Sequence, residues 1–159
     1  ALSRALERHA AYALALTRDK SGAGAGEDIV GLRRLACLSA DNAEASLQRL
    51  QQNPVHRDRN VDTAVNLLAA MRRVTAAGTV LEIQPALAPD NAAAPVLREY
   101  GQALAHALHP QEAAPATDIR QLAVPAALAA TAPALAGPLD RIAQQARQVR
   151  QLRERVQQA

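Results

Sequence analysis

The side chains with the most chemical potential here are His9, His56, His106 and His109, the lone thiol of Cys37, and a set of arginines near the C-terminus. A hydrolytic site would need a histidine beside a serine or cysteine held in a nucleophile turn, and no serine or cysteine stands in such a sequence. His56 and His109 fall in expected loops, and His106 lies off the apolar stripe of its helix. No His-x-x-x-His or Glu-x-x-His pair sets two ligands on one helical face, so no metal centre and no cofactor is expected. The expectation is a protein that is not an enzyme. One cysteine cannot form an internal disulfide, which fits a reducing compartment.

Polar residues that interrupt apolar helical stripes are the stronger signal. In a helix beginning near Val61, the residues Arg72, Thr75, Thr79 and Glu82 project onto the face defined by Val61, Ala64, Leu68 and Met71. His9 and Tyr12 interrupt the first helix in the same way, and Ser39 and Ser46 do so more gently in the second. Buried polar groups must find partners, so the ordinary reading is an internal hydrogen-bonded layer that also fixes helix register. On that reading Arg72 is held inside by Glu82 or Tyr12, and its removal costs on the order of 1 to 3 kcal/mol. The functional reading of His9, Tyr12, Arg72, Thr75, Thr79 and Glu82 is a polar-lined hollow in which an organic anion meets Arg72.

Two further patterns are weaker. Residues 19–26, Asp-Lys-Ser-Gly-Ala-Gly-Ala-Gly, look superficially like a phosphate loop. The glycine spacing is wrong for one, no Lys-Ser or Lys-Thr follows, and no strand precedes it. Near the C-terminus Arg141, Arg147, Arg150, Arg153 and Arg155 face only Asp140 and Glu154. Without aromatics for base stacking, these arginines suit water or an anionic lipid surface and not nucleic acid.

The elements that must position these residues are helices. Apolar residues recur at helical spacing over residues 1 to about 18, through Leu2, Ala5, Leu6, His9, Tyr12, Ala13 and Leu16. The second helix starts near Glu27 or Asp28 and runs to about Gln52. Its apolar face is Ile29, Leu32, Ala36, Ala40, Ala43, Leu47 and Leu50, widened by Leu35, Ser39 and Ser46. The rest of the chain is expected to be organised around it. After Asn53-Pro54 and a charged loop, Asn60 is the expected N-cap of a third helix to about Gln84, antiparallel to the second. A fourth helix, capped by Asp90 or Asn91, carries Leu97, Tyr100, Gly101, Leu104 and Leu108 and ends at His109-Pro110. A short helix between Asp118 and Ala130 is expected to bend or break at Pro125. The last helix begins between Pro133 and Pro138 and carries Leu135, Leu139, Ile142, Ala146, Val149 and Val156, with Arg153 at a seam position open to a second copy.

Composition agrees. Alanine is about a quarter of the chain, the only aromatics are Tyr12 and Tyr100, and the net charge is +3. This favours an all-α, antiparallel bundle of four main helices, with a further short helix and a long C-terminal helix. The expected division is a core bundle over about 1–108 with a C-terminal extension over about 118–159. No run reaches the roughly 18 to 20 apolar residues a membrane span needs. The opening Ala1-Leu2-Ser3-Arg4 has neither an initiator Met nor a signal layout, which reads as a piece of a longer protein.

The string Arg33-Arg34, then Asn42-Ala43-Glu44-Ala45-Ser46-Leu47-Gln48-Arg49-Leu50, is followed by a proline-containing loop and by a helix with Leu67-Leu68 and Arg72-Arg73. Over roughly residues 1 to 84 this pattern resembles the cytoplasmic helical region of the fusaric acid resistance (FUSC) and aromatic acid exporter superfamily of bacterial inner-membrane proteins. The resemblance is one of helices and small residues and transfers no catalytic residue. It implies a domain on the cytoplasmic side of the inner membrane, joined to a transmembrane domain of the same polypeptide. Its role would be assembly or regulation of a transporter that exports aromatic carboxylic acids. The alternatives are a free-standing helical bundle that senses a small molecule and a scaffold for protein partners.

Overall fold

The computed structural model describes residues 1–24, 26–52, 60–109 and 122–158, with side chains through 155. Every regular element among them is a helix: α1 (Leu2–Lys20), α2 (Ile29–Gln51), α3 (Val61–Glu82), α4 (Ala94–Leu108), α5 (Ala126–Thr131) and α6 (Pro133–Gln158). The expected stop at 53–54, the charged segment 55–59 with His56, the start of the fifth helix at 118 and the side chain of Val156 lie outside the described residues.

Local chemistry accounts for the helix ends. Asp28 accepts a hydrogen bond from the Gly31 backbone N–H at 2.8 Å and so caps α2. Asn60 does not cap α3 with its side chain, because its own backbone is already helical (φ −87°, ψ −6°), outside the extended region that a capping residue needs. Asn91 acts before α4 and not at its first turn, accepting from the Ala93 N–H at 2.9 Å. At Pro125 a helix starts, and the described residues 122–124 before it are not α-helical. With φ −56° it immediately precedes α5, where a fixed φ and a missing N–H cost nothing.

Packing defines the neighbours of each helix. Helix α1 touches α2, α3 and α4; α3 also touches α2 and α6; and α4 also touches α6. The four walls are therefore α1, α3, α6 and α4, with α2 set outside the groove between α1 and α3. Paired residues give the directions. His9 meets Thr75 and Lys20 meets the Gln84 carbonyl, so α1 and α3 run parallel. Arg33 meets Glu82 and Glu44 meets Arg72, so α2 runs against α3. Tyr100 lies near Arg147 and His109 accepts from Arg153, so α4 and α6 run together, opposed to the other pair.

This arrangement corrects two expectations. The C-terminal helix is a wall of the bundle and not an extension of it, because Leu135, Leu139, Ile142, Ala143, Ala146 and Val149 are all buried. The central helix is α1, which buries Ala5, Leu6, His9, Ala10, Tyr12, Ala13, Ala15, Leu16, Thr17 and Lys20. Helix α2 buries only Ala36, Ala40, Ala43 and Leu47, and leaves Leu35, Leu38 and Leu50 at 42%, 52% and 51% exposed.

Two glycines let α1 sit so deep. A Cβ on Gly78 of α3 would stand 2.5 Å from the Tyr12 hydroxyl, and one on Gly101 of α4 would collide with the Thr17 side chain. Gly137, in α6, has open space around its Cβ position. Substitution to alanine should therefore be costly at Gly101 and mild at Gly137. Gly101→Ala is expected to destabilise by about 1 to 3 kcal/mol through overpacking. Gly137→Ala is expected to change stability by less than about 1 kcal/mol, because its gain in helix propensity is opposed by a Cβ placed directly before Pro138. Denaturant melts of the two variants beside wild type check this.

Candidate functional site

The interrupted stripes converge where α1 crosses α3. His9, fully buried on α1, donates from Nδ1 to the Ala5 carbonyl at 2.7 Å. A carbonyl only accepts, so this bond fixes the neutral tautomer and leaves Nε2 as the acceptor. The Thr75 hydroxyl, 3.1 Å from Nε2, donates to it. Burial pulls the His9 pKa below its ordinary value, and the Ala5 bond opposes this more weakly.

One turn along α1, the Tyr12 hydroxyl donates to Glu82 Oε1 at 2.6 Å. The other carboxylate oxygen of Glu82 accepts from Arg33 of α2 at 2.8 Å. Both carboxylate oxygens are thus taken by protein donors from two different helices. Burial pushes the Tyr12 pKa well up, reinforced by its hydrogen bond to Glu82 and by that carboxylate's charge, while Arg33 and the Thr79 hydroxyl pull weakly the other way. Tyr12 is therefore a neutral donor. At the end of α1, the Lys20 ammonium is 6% exposed and donates to the carbonyls of Glu82 and Gln84, at 2.8 and 2.7 Å. It caps the negative end of α3 from a neighbouring helix.

Of the six residues proposed from the sequence, the structure brings together His9, Tyr12, Thr75, Thr79 and Glu82. Arg72 does not join them. Its side chain is 54% exposed and pairs with Glu44 at 2.5 Å and Asp41 at 3.7 Å, both on the outer part of α2. The reason is the width of the buried arc of α3. That helix packs on three neighbours and buries Leu67, Ala70, Val74, Ala77 and Leu81 as well as Met71, which centres its inner face away from Arg72. Neither Glu82 nor Tyr12 holds Arg72.

Sequence reasoning missed Lys20, Arg33 and Gly78. Lys20 falls in the segment 19–26 beyond the expected end of the first helix, whereas α1 runs on to Lys20, and Arg33 enters the sequence reading only through the resemblance. Gly78 lets the Tyr12 ring lie against the α3 backbone, so the ring itself fills the crossing between the two helices. Among the described residues, no three His, Cys, Asp or Glu side chains are grouped to hold a metal ion. What the cluster does chemically is satisfy a half-buried carboxylate, a buried imidazole and a buried ammonium. No family model, curated protein or solved structure matches the chain.

Two tests follow from this geometry. Tyr12→Phe removes a donor to a half-buried carboxylate and is expected to cost about 1.5 to 3 kcal/mol. Arg72→Ala removes exposed ion pairs and is expected to cost no more than about 1 kcal/mol. Urea melts of both variants measure the contrast, and equal losses would contradict it. The second test is pH. Because the folded state depresses the His9 pKa, the unfolded chain binds that proton first as pH falls below 6.5. Stability from this residue is complete above 6.5 and declines below it, by at most about 1.4 kcal/mol per pH unit. His9→Gln should remove that part of the slope in melts taken between neutral and mildly acidic pH.

Proposed function

We propose that the chain is the cytoplasmic helical domain of an inner-membrane transporter of the FUSC and aromatic acid exporter kind, serving its assembly or regulation and not its chemistry. One observation carries the reading. Part of the quoted pattern ties α2 to α3, since Arg33 pairs with Glu82 and Glu44 pairs with Arg72, and its residues Leu47, Leu67 and Leu68 are buried. These residues serve packing, as expected where a family shares a packing arrangement and not an active site. Among the described residues no helix is long and apolar enough to cross a membrane, so the membrane-spanning part is assigned to another segment of the same polypeptide. Aromatic carboxylic acids are the substrate class of the whole transporter in this reading.

Cys37 supplies the test, since it is the free cysteine of the chain and is exposed. In cells producing the full reading frame, a membrane-impermeant maleimide is expected to leave Cys37 unmodified until the inner membrane is permeabilised. Modification in intact cells, or a full reading frame without apolar spans, would overturn the proposal.

A further inference from the structure

Helix α2 is built inside out for an outer helix of a solitary domain. Its inner face is mostly alanine, through Ala36, Ala40 and Ala43, while Leu35 and Leu38 point away from the bundle. The outward residues fall in a regular order. Gly31, Leu35, Leu38, Asn42, Ala45 and Arg49 follow one another at alternating steps of four and three, the spacing of a coiled-coil seam. All but Gly31 are exposed, and Gly31 is half-buried.

We infer that this seam is a homodimer interface, in which α2 of one chain packs antiparallel against α2 of a second copy about a two-fold axis. The seam is complementary to itself in that direction. Reversing it sets Leu35 against Ala45 of the second copy and Leu38 against Asn42, so that each large residue meets a smaller one. Gly31 faces the long side chain of Arg49. Charge agrees as well. Exposed Glu27 and Asp28 stand at the start of α2 and Arg49 at its end, so antiparallel pairing brings opposite charges together at both ends. The helix dipoles oppose each other in the same arrangement. Asp41 comes close to its own copy near the axis, and the Arg72 guanidinium 3.7 Å away on the same chain offsets that repulsion. A parallel pairing would instead set Asp28, Asp41 and Arg49 each against itself.

Sedimentation velocity and disulfide trapping test the inference on the 159-residue chain. Wild type is expected to sediment with twice the mass of the chain, and Leu38→Glu with the mass of one chain and an unchanged helical circular dichroism spectrum. A wild type that stays monomeric at every concentration, or a Leu38→Glu variant that remains dimeric, would overturn it. Trapping is independent of that variant and starts from a Cys37→Ser background. Leu38→Cys combined with Asn42→Cys is expected to cross-link into a covalent dimer on mild oxidation, while Leu38→Cys alone is not. Ready cross-linking of the single variant would mean that the copies meet in parallel and would also overturn the inference.

Discussion

The Glu82 carboxylate is the interaction on which the positions of three helices depend. It sits at the last turn of α3, where Tyr12 reaches it from α1 and Arg33 from α2. A carboxylate at such a place is tolerable only if its oxygens are bonded, and each oxygen has one donor from a different helix. Rotation of α1 by one residue would carry Tyr12 away from the acid and leave both groups unsatisfied. The Lys20 ammonium adds a second lock at the same end, because the carbonyls it meets belong to Glu82 and Gln84. The Leu87 N–H donates to the Lys20 carbonyl at 2.7 Å, which pins the chain leaving α3 to the end of α1. Register along α1 is thus set by polar groups at a few points, while its apolar residues supply cohesion without choosing a register.

That lock has a steric condition. A helix enclosed on three sides must approach its neighbours closely, and small residues make this possible: Ala5, Ala10, Ala13 and Ala15 on α1 itself, Gly78 on α3 and Gly101 on α4. Alanine costs no side-chain entropy on burial and favours the helix, so a chain that is about a quarter alanine can enclose one helix without large side chains at every interface. Larger aliphatic groups are fully buried as well, among them Leu139, Ile142 and Val149 of α6. Polar groups on α1 that reach no neighbour turn back onto their own helix. Thr17 donates to the Ala13 carbonyl at 3.0 Å, and Ser21 donates to Arg18 at 2.7 Å.

The helices themselves were legible in the sequence because periodicity reports that one side of a helix is covered. The stripes through Leu97, Tyr100, Gly101, Leu104 and Leu108, and through Leu135, Leu139, Ile142, Ala146 and Val149, are buried as read. Periodicity does not report how many neighbours cover a helix. For that reason α2, with a clean stripe, reads as the centre from its sequence, and α1, with polar residues on several sides, does not. The same limit misplaced Arg72. A four-residue stripe of Val61, Ala64, Leu68 and Met71 located one edge of the buried arc of α3 and missed its middle, which runs through Leu67, Ala70, Val74 and Leu81. His9, Tyr12 and Glu82 were recognisable as inward polar residues. Their pairing was not, since the partners lie 66 and 70 positions away and no local pattern links them.

The position of α2 follows from these parts. Its fully buried contact is narrow, three alanines and one leucine, with Ile29 and Leu32 partly buried beside them. Two ion pairs supplement it at opposite ends. The Arg33 pair with Glu82 is largely shielded from water, while the Arg72 pair with Glu44 is exposed and correspondingly weak. The start of α2 is therefore fastened to the polar lock of α1 and α3, and its later turns are fastened lightly. A helix held in this way gains from being covered on its outer face, because apolar area there would be removed from water without moving the core. The leucines that face outward, and the alanines that let the helix lie flat against α1 and α3, are two sides of one arrangement: the small residues serve the bundle, and the large ones are left for whatever packs against it.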